Sequence, residues 1–267
     1  MNAVAVVLVT RNSEPYLEET LDSIRNQSRP PDALIAIDDH SGDGTVEHLR
    51  DVGFEVVTST STYEEAVTRI AGNFVHGLRL AERSGADVVI LGDHDDIWHR
   101  ERIEHQAELL EAHPSMAMVA SDGFLIDSNG VALPGTIRDT FPIPDEFEQW
   151  NVRQQVRYAL RHSIATGGAS AVRCSRLGSW AVPPGWLHDR WWSLSALHWE
   201  MFLVDRRTVI DYRLTSNQQV GLAAADQDHF PAWWWSRTRQ LPRSIRRARD
   251  VTGLLTSQHP RPLPHPR

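Results

Sequence analysis

Short β-branched runs that alternate with helical patterns constrain the fold of this chain more than any other feature. The run Val4–Thr10 (VAVVLVT) is continuous, which is typical of a strand buried on both faces of a sheet. Leu17, Leu21 and Ile24 then recur at helical spacing, and Arg29-Pro30-Pro31 ends that helix. The same alternation predicts strands at 33–37, 54–58, 87–91 and 116–120, and helices at Thr45–Asp51, at 64–83 and around Ile103, Ala107 and Leu110.

This β-α-β-α order predicts an α/β fold, in which a mostly parallel, Rossmann-like sheet carries helices on both faces. The pattern changes after about residue 122, where Ser128-Asn129-Gly130 between Leu125-Ile126-Asp127 and Val131-Ala132-Leu133 indicates a hairpin. Residues 134–148 are rich in proline and predict irregular structure. Helices at 150–161 and 186–199 and strands at 169–173 and 208–214 are predicted beyond them. We therefore expect a sheet-forming lobe (1–121), a smaller lobe packed on it (122–230) and a basic amphipathic C-terminal tail (231–267).

The basic residues are all arginine, since the chain has 27 of them and no lysine. That excludes a P-loop lysine and any Schiff-base mechanism, so a phosphate clamp must use arginine, backbone N–H groups or a metal ion. The single cysteine, Cys174, excludes an intrachain disulfide and a cysteine-based zinc site. The net charge is −8, and because residues 231–267 carry +7, the remainder carries −15. An acidic body argues against a nucleic-acid partner, whose footprint would be basic.

The sequence has no run of about 20 apolar residues and no basic stretch before its first apolar run. We therefore expect neither a membrane-spanning helix nor a cleaved secretory signal, and predict a cytoplasmic location. The tail combines Trp233-Trp234-Trp235 with arginines at 243, 246, 247 and 249. This composition is typical of a segment that contacts an anionic membrane surface peripherally, here at the inner face. A C-terminal helix packed on the body is the alternative interpretation.

Three carboxylates within four residues follow the predicted strand at 87–91, as Asp93, Asp95 and Asp96 around His94. In parallel α/β sheets, ligands bind at the carboxyl ends of the strands. Carboxylates so close together repel one another, which a cation among them would relieve, and hard oxygen ligands select Mg²⁺ or Mn²⁺. The alternative is that these aspartates cap the next helix and form Asx-turns.

A second acidic turn, Asp38-Asp39, ends the predicted strand at 33–37. Carboxylates there can accept hydrogen bonds from a nucleobase N–H or from ribose hydroxyls, although simple turn chemistry is the alternative. Gly42 and Gly44 give G-x-G, but Glu47 replaces the third glycine of a dinucleotide fingerprint, so a Rossmann dehydrogenase is excluded. Dehalogenase-like phosphatases and phospho-receiver domains also place aspartates at strand ends, but both need a lysine.

His188-Asp189 opens a segment that contains Trp191, Trp192 and Trp199. A carboxylate beside apolar rings can have a raised pKa and act as a general base. A helix N-cap is the alternative for Asp189, and a simple core is the alternative for the tryptophans. The thirteen histidines show no HxxxH or HExxH spacing, so we do not expect a histidine zinc site.

Seven segments spread over residues 6–221 carry a resemblance to a known family. They are VVLVTRNSEPYLEETLDSIRNQS (6–28), IAIDDHSGDGT (35–45), AGNFVHGL (71–78), LGDHDDIW (91–98), TGGASAVR (166–173), LHDRWWSLSAL (187–197) and YRLTSNQQVG (212–221). In this order they resemble the family 2 glycosyltransferases of the GT-A fold, in particular the bacterial rhamnosyltransferase-like members. The segment LGDHDDIW is similar to that subgroup's D-Q-D-D-I-W and is the most specific of the seven. The resemblance covers about residues 3–222.

The resemblance implies a GT-A fold with a nucleotide-sugar-binding lobe at 1–121 and an acceptor-binding lobe at 122–230. Carried over by position, the residues that would bind the nucleotide are Thr10, Asp38 and Asp39 at the base and Asp93 at the ribose. Asp95 would hold Mg²⁺ or Mn²⁺ on the diphosphate, with Asp96 in support. Asp189 would be the catalytic base, with His188 and Arg213 as secondary candidates, the latter for the diphosphate.

The implied activity is inverting transfer of a hexose, with rhamnose as one candidate, from a UDP- or dTDP-linked donor. The acceptor would be a hydroxyl of a glycan, such as a cell-surface polysaccharide, of a lipid-linked molecule or of a small molecule. Thr215 departs from the subgroup, which has histidine at that position. This departure motivates an alternative function, a nucleotide-sugar-binding pseudoenzyme or partner subunit without turnover.

Overall fold

The first half of the chain builds a parallel sheet around one strand whose seven residues are all buried. Strand β1 (Val4–Thr10) pairs in parallel with β2 (Ala33–Asp38) on one side and β4 (Val88–Asp93) on the other. Strand β3 (Glu55–Thr58) pairs in parallel with β2. The helices that connect and follow these strands are α1 (Glu14–Arg25), α2 (Thr45–Asp51), α3 (Ala66–Arg83) and α4 (Arg102–Ala112). The computed structural model describes residues 2–176, 181–215 and 241–256, with side chains in the last segment from Arg249 onward.

The second half extends the same sheet with strands of both directions. Its strands are β5 (Ile97–Trp98), β6 (Met118–Ile126), β7 (Ala132–Thr136), β8 (Ser170–Arg173) and β9 (Phe202–Arg213). Among the described residues the strand order is β3-β2-β1-β4-β8-β6-β9-β5, and β7 pairs with β6 as a hairpin. Its helices are α5 (Ile137–Thr140), α6 (Val152–Ala159), α7 (His188–His198) and α8 (Leu241–Thr256). The predicted α/β fold is confirmed, with a parallel half on β1 and a mixed half beyond β4.

Buried apolar side chains cover both faces of the sheet. On one face, residues of β1 and β4 such as Leu8 and Ile90 pack against Leu17 of α1 and Ile103 of α4. On the other face the alternate strand residues pack against α3 and α7, including Phe74 and Trp192. A third cluster lies between α6 and α7. The two cores explain why the strand β1 shows an unbroken apolar run.

Two strands are longer in the structure than the sequence predicts, and strand β5 and helix α5 are not predicted from the sequence. The strand predicted at 116–120 continues as β6 through Ser121-Asp122-Gly123, where the register to β9 shifts. The strand predicted at 208–214 begins at Phe202, since the polar stretch Asp205-Arg206-Arg207 concealed its first half. Strand β5 and helix α5 lie in segments that were predicted as turn and irregular structure. The hairpin around Ser128-Asn129-Gly130 is confirmed by the pairing of Ile126 with Ala132.

Strand β6 runs through the predicted lobe boundary at 121/122, so both lobes contribute to one sheet. The division at residues 121 and 230 stays a prediction. Within the tail, helix α8 packs on the third cluster through Val251 and Leu254, and Trp186 Nε1 donates to Asp250 Oδ2 at 3.2 Å. The segment Trp233-Trp234-Trp235 lies outside the described residues. No helix in the described ranges is long and apolar enough to cross a membrane.

Candidate active site

Three predicted site residues stand at the carboxyl ends of neighbouring parallel strands. Thr10 ends β1, Asp38 ends β2 and Asp93 ends β4, and Thr10 pairs with Asp38 in the strand register. Val9 pairs with Asp93 on the other side of β1. The strand register therefore brings both acidic turns to one edge of the sheet, where α/β folds bind ligands.

The carboxylate of Asp38 accepts hydrogen bonds from the last residue of β1 and from the turn that follows β2. Its Oδ1 accepts hydrogen bonds from Thr10 Oγ1 at 3.1 Å and Ser41 Oγ at 2.6 Å, and its Oδ2 accepts one from Ser41 N at 2.9 Å. Asn12 N donates to Ser41 Oγ at 2.8 Å, which joins this turn to the one after β1. Asp38 and Thr10 therefore shape the edge of the site, and their contact with a nucleobase stays a prediction.

Asp39 is held by two arginines through one oxygen, and its other oxygen has no partner among the described residues. Arg11 Nη1 and Arg69 Nε donate to its Oδ2 at 3.1 and 2.6 Å. Its Oδ1 is buried and has no hydrogen-bond partner among the described residues. A buried carboxylate oxygen without a donor is costly, so a ligand N–H would be accommodated well there. Sequence reasoning missed Arg11 and Arg69, because no motif relates them to Asp39.

The acidic turn after β4 gathers its carboxylates in a buried position. Asp95 and Asp96 are buried, and desolvation together with the charge of Asp95 raises the pKa of Asp93 to about 7. The same two causes, with Asp93 added, raise the pKa of Asp96 well above its ordinary value. Asp96 Oδ1 accepts a hydrogen bond from Arg213 N at 3.1 Å, while its Oδ2 has no partner among the described residues. The turn is thus a site of like charge that a cation would stabilise.

Two buried arginines lie beside the acidic turn. Arg213 Nε donates to Asp95 O at 2.8 Å, and its Nη2 pairs with the carboxylate of Glu19. The guanidinium of Arg213 therefore holds the backbone of the turn, and its contact with a diphosphate stays a prediction. Arg102 lies 3.8 Å over the Trp98 ring and donates to Leu91 O at 2.6 Å. Burial lowers the pKa of Arg102 to about 9, against the opposing charges of Asp96 and Asp93, and no sequence signal indicated it.

Asp189 lies in the first turn of α7, and it faces the acidic turn across a short backbone segment. Its Oδ2 accepts a hydrogen bond from Gly167 N at 3.0 Å, and its Oδ1 accepts one from Arg190 N at 2.6 Å. Burial raises the pKa of Asp189 to about 6, and the two backbone N–H groups act in the opposite direction. The charge of Asp189 also contributes to the raised pKa of Asp93, as expected for carboxylates that share one site.

His188 is a neutral, buried ring rather than an exposed acid or base. It stacks on Phe74 with ring centroids 3.8 Å apart and meets Trp192 edge-on at 5.1 Å. Burial lowers its pKa to about 3, so the imidazole carries no charge at neutral pH. Neither ring nitrogen has a hydrogen-bond partner among the described residues. Its role as a secondary site residue stays a prediction.

Gly167 and Gly168 lie between Asp189 and the acidic turn. Neither position has room for a side chain. A Cβ on Gly167 would lie 2.5 Å from His188 Nε2. A Cβ on Gly168 would lie 2.5 Å from Asp96 Oδ2 and 2.9 Å from Asp93 Oδ2. Glycine is required here because backbone and side chains approach so closely. The segment TGGASAVR was identified as a motif in the sequence, but its role as a spacer depends on the folded structure.

The donor set of the acidic turn fits a hard divalent cation. Its oxygens come from Asp93, Asp95 and Asp96, and Asp96 Oδ2 is an orphaned buried acceptor. Among the described residues, no group of three or more His, Cys, Asp or Glu side chains is arranged so that it could hold a metal ion. Mg²⁺ in phosphate-binding sites is held by one or two carboxylates and completes its shell with phosphate oxygens and water. One or two carboxylates of the turn are enough for such a site, in which phosphate and water supply the other ligands. Thr215, at the position that departs from the subgroup, is buried.

Sequence comparison gives a family match over most of the sheet. Residues 5–177 match the sequence model for Glycosyl transferase family 2. A Bacillus subtilis (strain 168) protein named as a teichuronic acid biosynthesis glycosyltransferase, TuaG, is 27% identical over 191 residues, which cover 61% of this chain and 69% of that protein. A second protein from the same strain, EpsE, named as a glycosyltransferase, is 29% identical over 129 residues. That match covers 48% of this chain and 45% of EpsE.

Solved structures share the fold. TarS 1–349 of S. aureus in complex with UDP superposes with a TM-score of 0.59 at 17% identity, covering 96% of this chain and 81% of that one. Glucosyl-3-phosphoglycerate synthase from Mycobacterium tuberculosis, with Mn²⁺, UDP and glucosyl-3-phosphoglycerate, gives 0.55 at 18%, covering 95% and 78%. The mannosyltransferase PcManGT from Pyrobaculum calidifontis, with GDP-Man and Mn²⁺, gives 0.54 at 21%, covering 81% and 58%. At these identities the likeness establishes the GT-A fold.

Proposed function

Since the chain belongs to the family 2 glycosyltransferases, we propose that it transfers a sugar from a UDP- or dTDP-linked donor to an acceptor hydroxyl with inversion. One observation carries this proposal: Asp189 and the acidic turn flank Gly167-Gly168, with a hydrogen bond on one side and close packing on the other. A carboxylate that can take a proton thus lies beside carboxylates that can serve a cation and a diphosphate.

In the nucleotide half of the site, we propose Asp39 for the contact with the base. Its unpartnered Oδ1 accepts one N–H, and uracil and thymine each present a single ring N–H for such a contact. Arg11 and Arg69 fix the carboxylate through its other oxygen, and Asp38 with Thr10 holds the turn in shape. Among the structural neighbours, TarS is in complex with UDP and with UDP-GlcNAc, whereas PcManGT is in complex with GDP-Man. Asp93, at the end of β4, is assigned to the ribose.

Asp95 would hold a divalent cation, Mg²⁺ or Mn²⁺, with Asp96 in support. When bound, such an ion neutralises charge on the departing diphosphate, a function that no lysine of this chain can supply. Two of the structural neighbours were solved with Mn²⁺, which supports the choice of a divalent cation. Arg213 keeps the peptide of Asp95 in place through its 2.8 Å hydrogen bond.

Asp189 would act as the general base. It takes the proton of the acceptor hydroxyl while that oxygen forms its bond to the anomeric carbon and the bond from this carbon to the diphosphate breaks. The nucleoside diphosphate leaves and the proton passes from Asp189 to solvent. A pKa of about 6 leaves the carboxylate ionised at neutral pH and still basic enough to accept a proton. The N–H groups of Gly167 and Arg190 orient its two oxygens.

The sugar and the acceptor are proposed from sequence similarity. The similarity of LGDHDDIW to the rhamnosyltransferase-like subgroup makes rhamnose one candidate sugar. TuaG is named for teichuronic acid biosynthesis, which supports a cell-surface glycan as the acceptor. A cytoplasmic location with peripheral membrane contact through the tail is part of the same proposal.

A thermal-shift panel tests the donor and metal assignments together. UDP-, dTDP- and GDP-sugars would each be added with Mn²⁺, Mg²⁺ or a chelator. A ligand at a hundred times its Kd stabilises the folded state by about 2.7 kcal/mol, which is easily measured. We expect a metal-dependent shift with a uridine or thymidine donor. A shift confined to the GDP-sugars, or equal shifts with and without metal, would contradict the assignments.

Thr215 favours a second candidate function, a subunit that binds nucleotide sugars without turnover. The residue is buried beside the site-forming strand β9, where the resembling subgroup has a histidine. This candidate predicts the same thermal shifts but no release of nucleoside diphosphate with any acceptor. A Thr215→His variant that gains donor hydrolysis or transfer would support it.

A further inference from the structure

One stretch of this acidic chain contains no acidic residue at all. Residues 149–188 have no Asp or Glu, although the chain as a whole carries 35 of them and a net charge of −8. Five arginines lie in this stretch. Solvated helix faces usually mix charges of both signs, because like charges one turn apart repel. The stretch begins just before α6 and ends beside Asp189, so it borders the proposed site.

Three of these five arginines form an exposed face, and two are structural. Arg173 pairs with Asp87 and donates to Leu110 O, and Arg176 Nη2 donates to Pro114 O at 3.0 Å, so both support the core. The other three arginines are exposed, and we call them the arginine face. Arg153 and Arg157 lie one turn apart on α6, and Arg161 lies in the turn that follows this helix. Within the described ranges, no ion pair joins the arginine face to a carboxylate.

The arginine face stands on a helix that contacts the helix carrying the proposed base. Arg190, the neighbour of Asp189, donates through Nη2 to Ala159 O at 3.4 Å and Leu160 O at 3.5 Å. The last turn of α6 is therefore in contact with the first turn of α7. The chain then runs from Arg161 to Gly167, whose N–H holds the Asp189 carboxylate. The helix contact and the chain continuity therefore join the arginine face to the segment around Asp189.

We propose that the arginine face binds anionic groups of the acceptor, which is then a glycan that carries carboxylate or phosphate groups. The guanidinium group recognises both by paired, charge-assisted hydrogen bonds. The rest of the body is acidic, so a polyanion would be repelled elsewhere and attracted to the arginine face. This inference rests on the proposed function, because it names the acceptor class of the same site.

An anionic membrane fits the arginine face less well. A helix that lies in a membrane surface needs a broad apolar face turned to the lipid. In α6 the apolar residues Val156 and Ala159 are buried in the third cluster, between α6 and α7. Leu160 is the one large apolar side chain of this turn that is partly exposed, at 37%. The observations therefore favour a polyanionic glycan.

The test compares two arginine pairs of identical spacing. The double variant Arg157→Gln/Arg161→Gln removes the two members of the arginine face that lie toward the end of α6. Arg79→Gln/Arg83→Gln is the matched control, since these are exposed arginines one turn apart at the far end of α3. Binding would be measured by calorimetry with UDP and Mn²⁺ present. The ligands are a hyaluronan tetrasaccharide for carboxylate, a phosphorylated mannose oligosaccharide for phosphate and maltotetraose as the neutral reference.

We expect the wild type to bind one of the anionic oligosaccharides more tightly than maltotetraose. The Arg157/Arg161 pair should lose about tenfold or more of that affinity, and the control pair should keep it. Equal losses in both pairs, or no preference of the wild type for an anionic oligosaccharide, would overturn the proposal. Vesicles that contain phosphatidylglycerol are added as a fourth ligand, and loss of binding to these vesicles alone would overturn the proposal and assign the face to a membrane. UDP affinity is followed in every variant, so failure of the wild type to bind UDP would indicate that the proposed function itself is wrong.

Discussion

Replacing Gly167 by alanine should displace the proposed base without touching its carboxylate. The new Cβ would lie 2.5 Å from His188 Nε2, whereas ordinary contacts begin at 3.4 Å, so about 0.9 Å must be gained. His188 is stacked on Phe74 at 3.8 Å and buried, so the ring has little room to move. The backbone at 167 must therefore move, and its 3.0 Å hydrogen bond to Asp189 would lengthen beyond hydrogen-bond range.

A displacement of about 1 Å at a reacting group costs about 10²-fold in rate, and we expect a loss of that order in kcat for Gly167→Ala. The Asp189 carboxylate would also lose one of the two N–H donors that favour its charged form, so its pKa should rise above about 6. Carbon-13 NMR of labelled aspartate, with Asp189→Asn for assignment, measures that pKa without any acceptor. UDP affinity should stay close to the wild-type value.

Gly168→Ala is the matched control, because its Cβ meets Asp96 and Asp93 rather than His188. Gly168→Ala should weaken metal-dependent UDP binding, and it should change the pKa of Asp189 less than Gly167→Ala does. Adding His188→Ala to Gly167→Ala removes the ring that the new Cβ meets and should recover part of the lost activity. If Gly167→Ala keeps the wild-type kcat and the wild-type pKa of Asp189, the reasoning about this spacer is refuted.

Three further predictions follow from the site. The logarithm of kcat/KM should fall as the pH drops through about 6, because Asp189 must be ionised to accept a proton. The variant Asp93→Asn serves as a control, since it removes the titration of the neighbouring carboxyl group from the pH profile. A flat profile between pH 5 and 7 would contradict the assignment of Asp189 as the base. Asp95→Ala should abolish the difference in UDP affinity between Mn²⁺ and chelator, measured by calorimetry, whereas a retained difference would place the cation elsewhere. Arg69→Gln should weaken UDP binding by about tenfold because Asp39 loses its 2.6 Å partner, and unchanged affinity would remove Asp39 from the base contact.

The parallel half of the fold could be predicted because its strands are buried on both faces. Strand β1 was predicted with the bounds that the structure has, since an unbroken β-branched run of that length is typical of a strand covered on both sides. Strand β9 was predicted only from residue 208, because Asp205 is polar yet is held by Ser121 Oγ at 2.6 Å and His105 at 2.9 Å. Such long-range pairing leaves no periodic signal in the sequence.

The acidic part of the site could be predicted for a related reason. Asp38 and Asp93 stand at strand ends, and the strand register then places them at one edge of the sheet. Arg69 could not be found this way, because its contact with Asp39 depends on the packing of α3 against the sheet. The spacing role of Gly167 likewise appears only when the ring of His188 is in place.

The most direct test of the account is the turnover of Asp189→Asn, measured as release of nucleoside diphosphate from the donor and acceptor that the wild type uses. Asparagine keeps the size of the side chain and removes its basicity. The account predicts a decrease in kcat of about 10²–10⁴-fold, while the affinity for UDP in the presence of Mn²⁺ stays unchanged. Turnover equal to the wild type would contradict the central claim that Asp189 is the base.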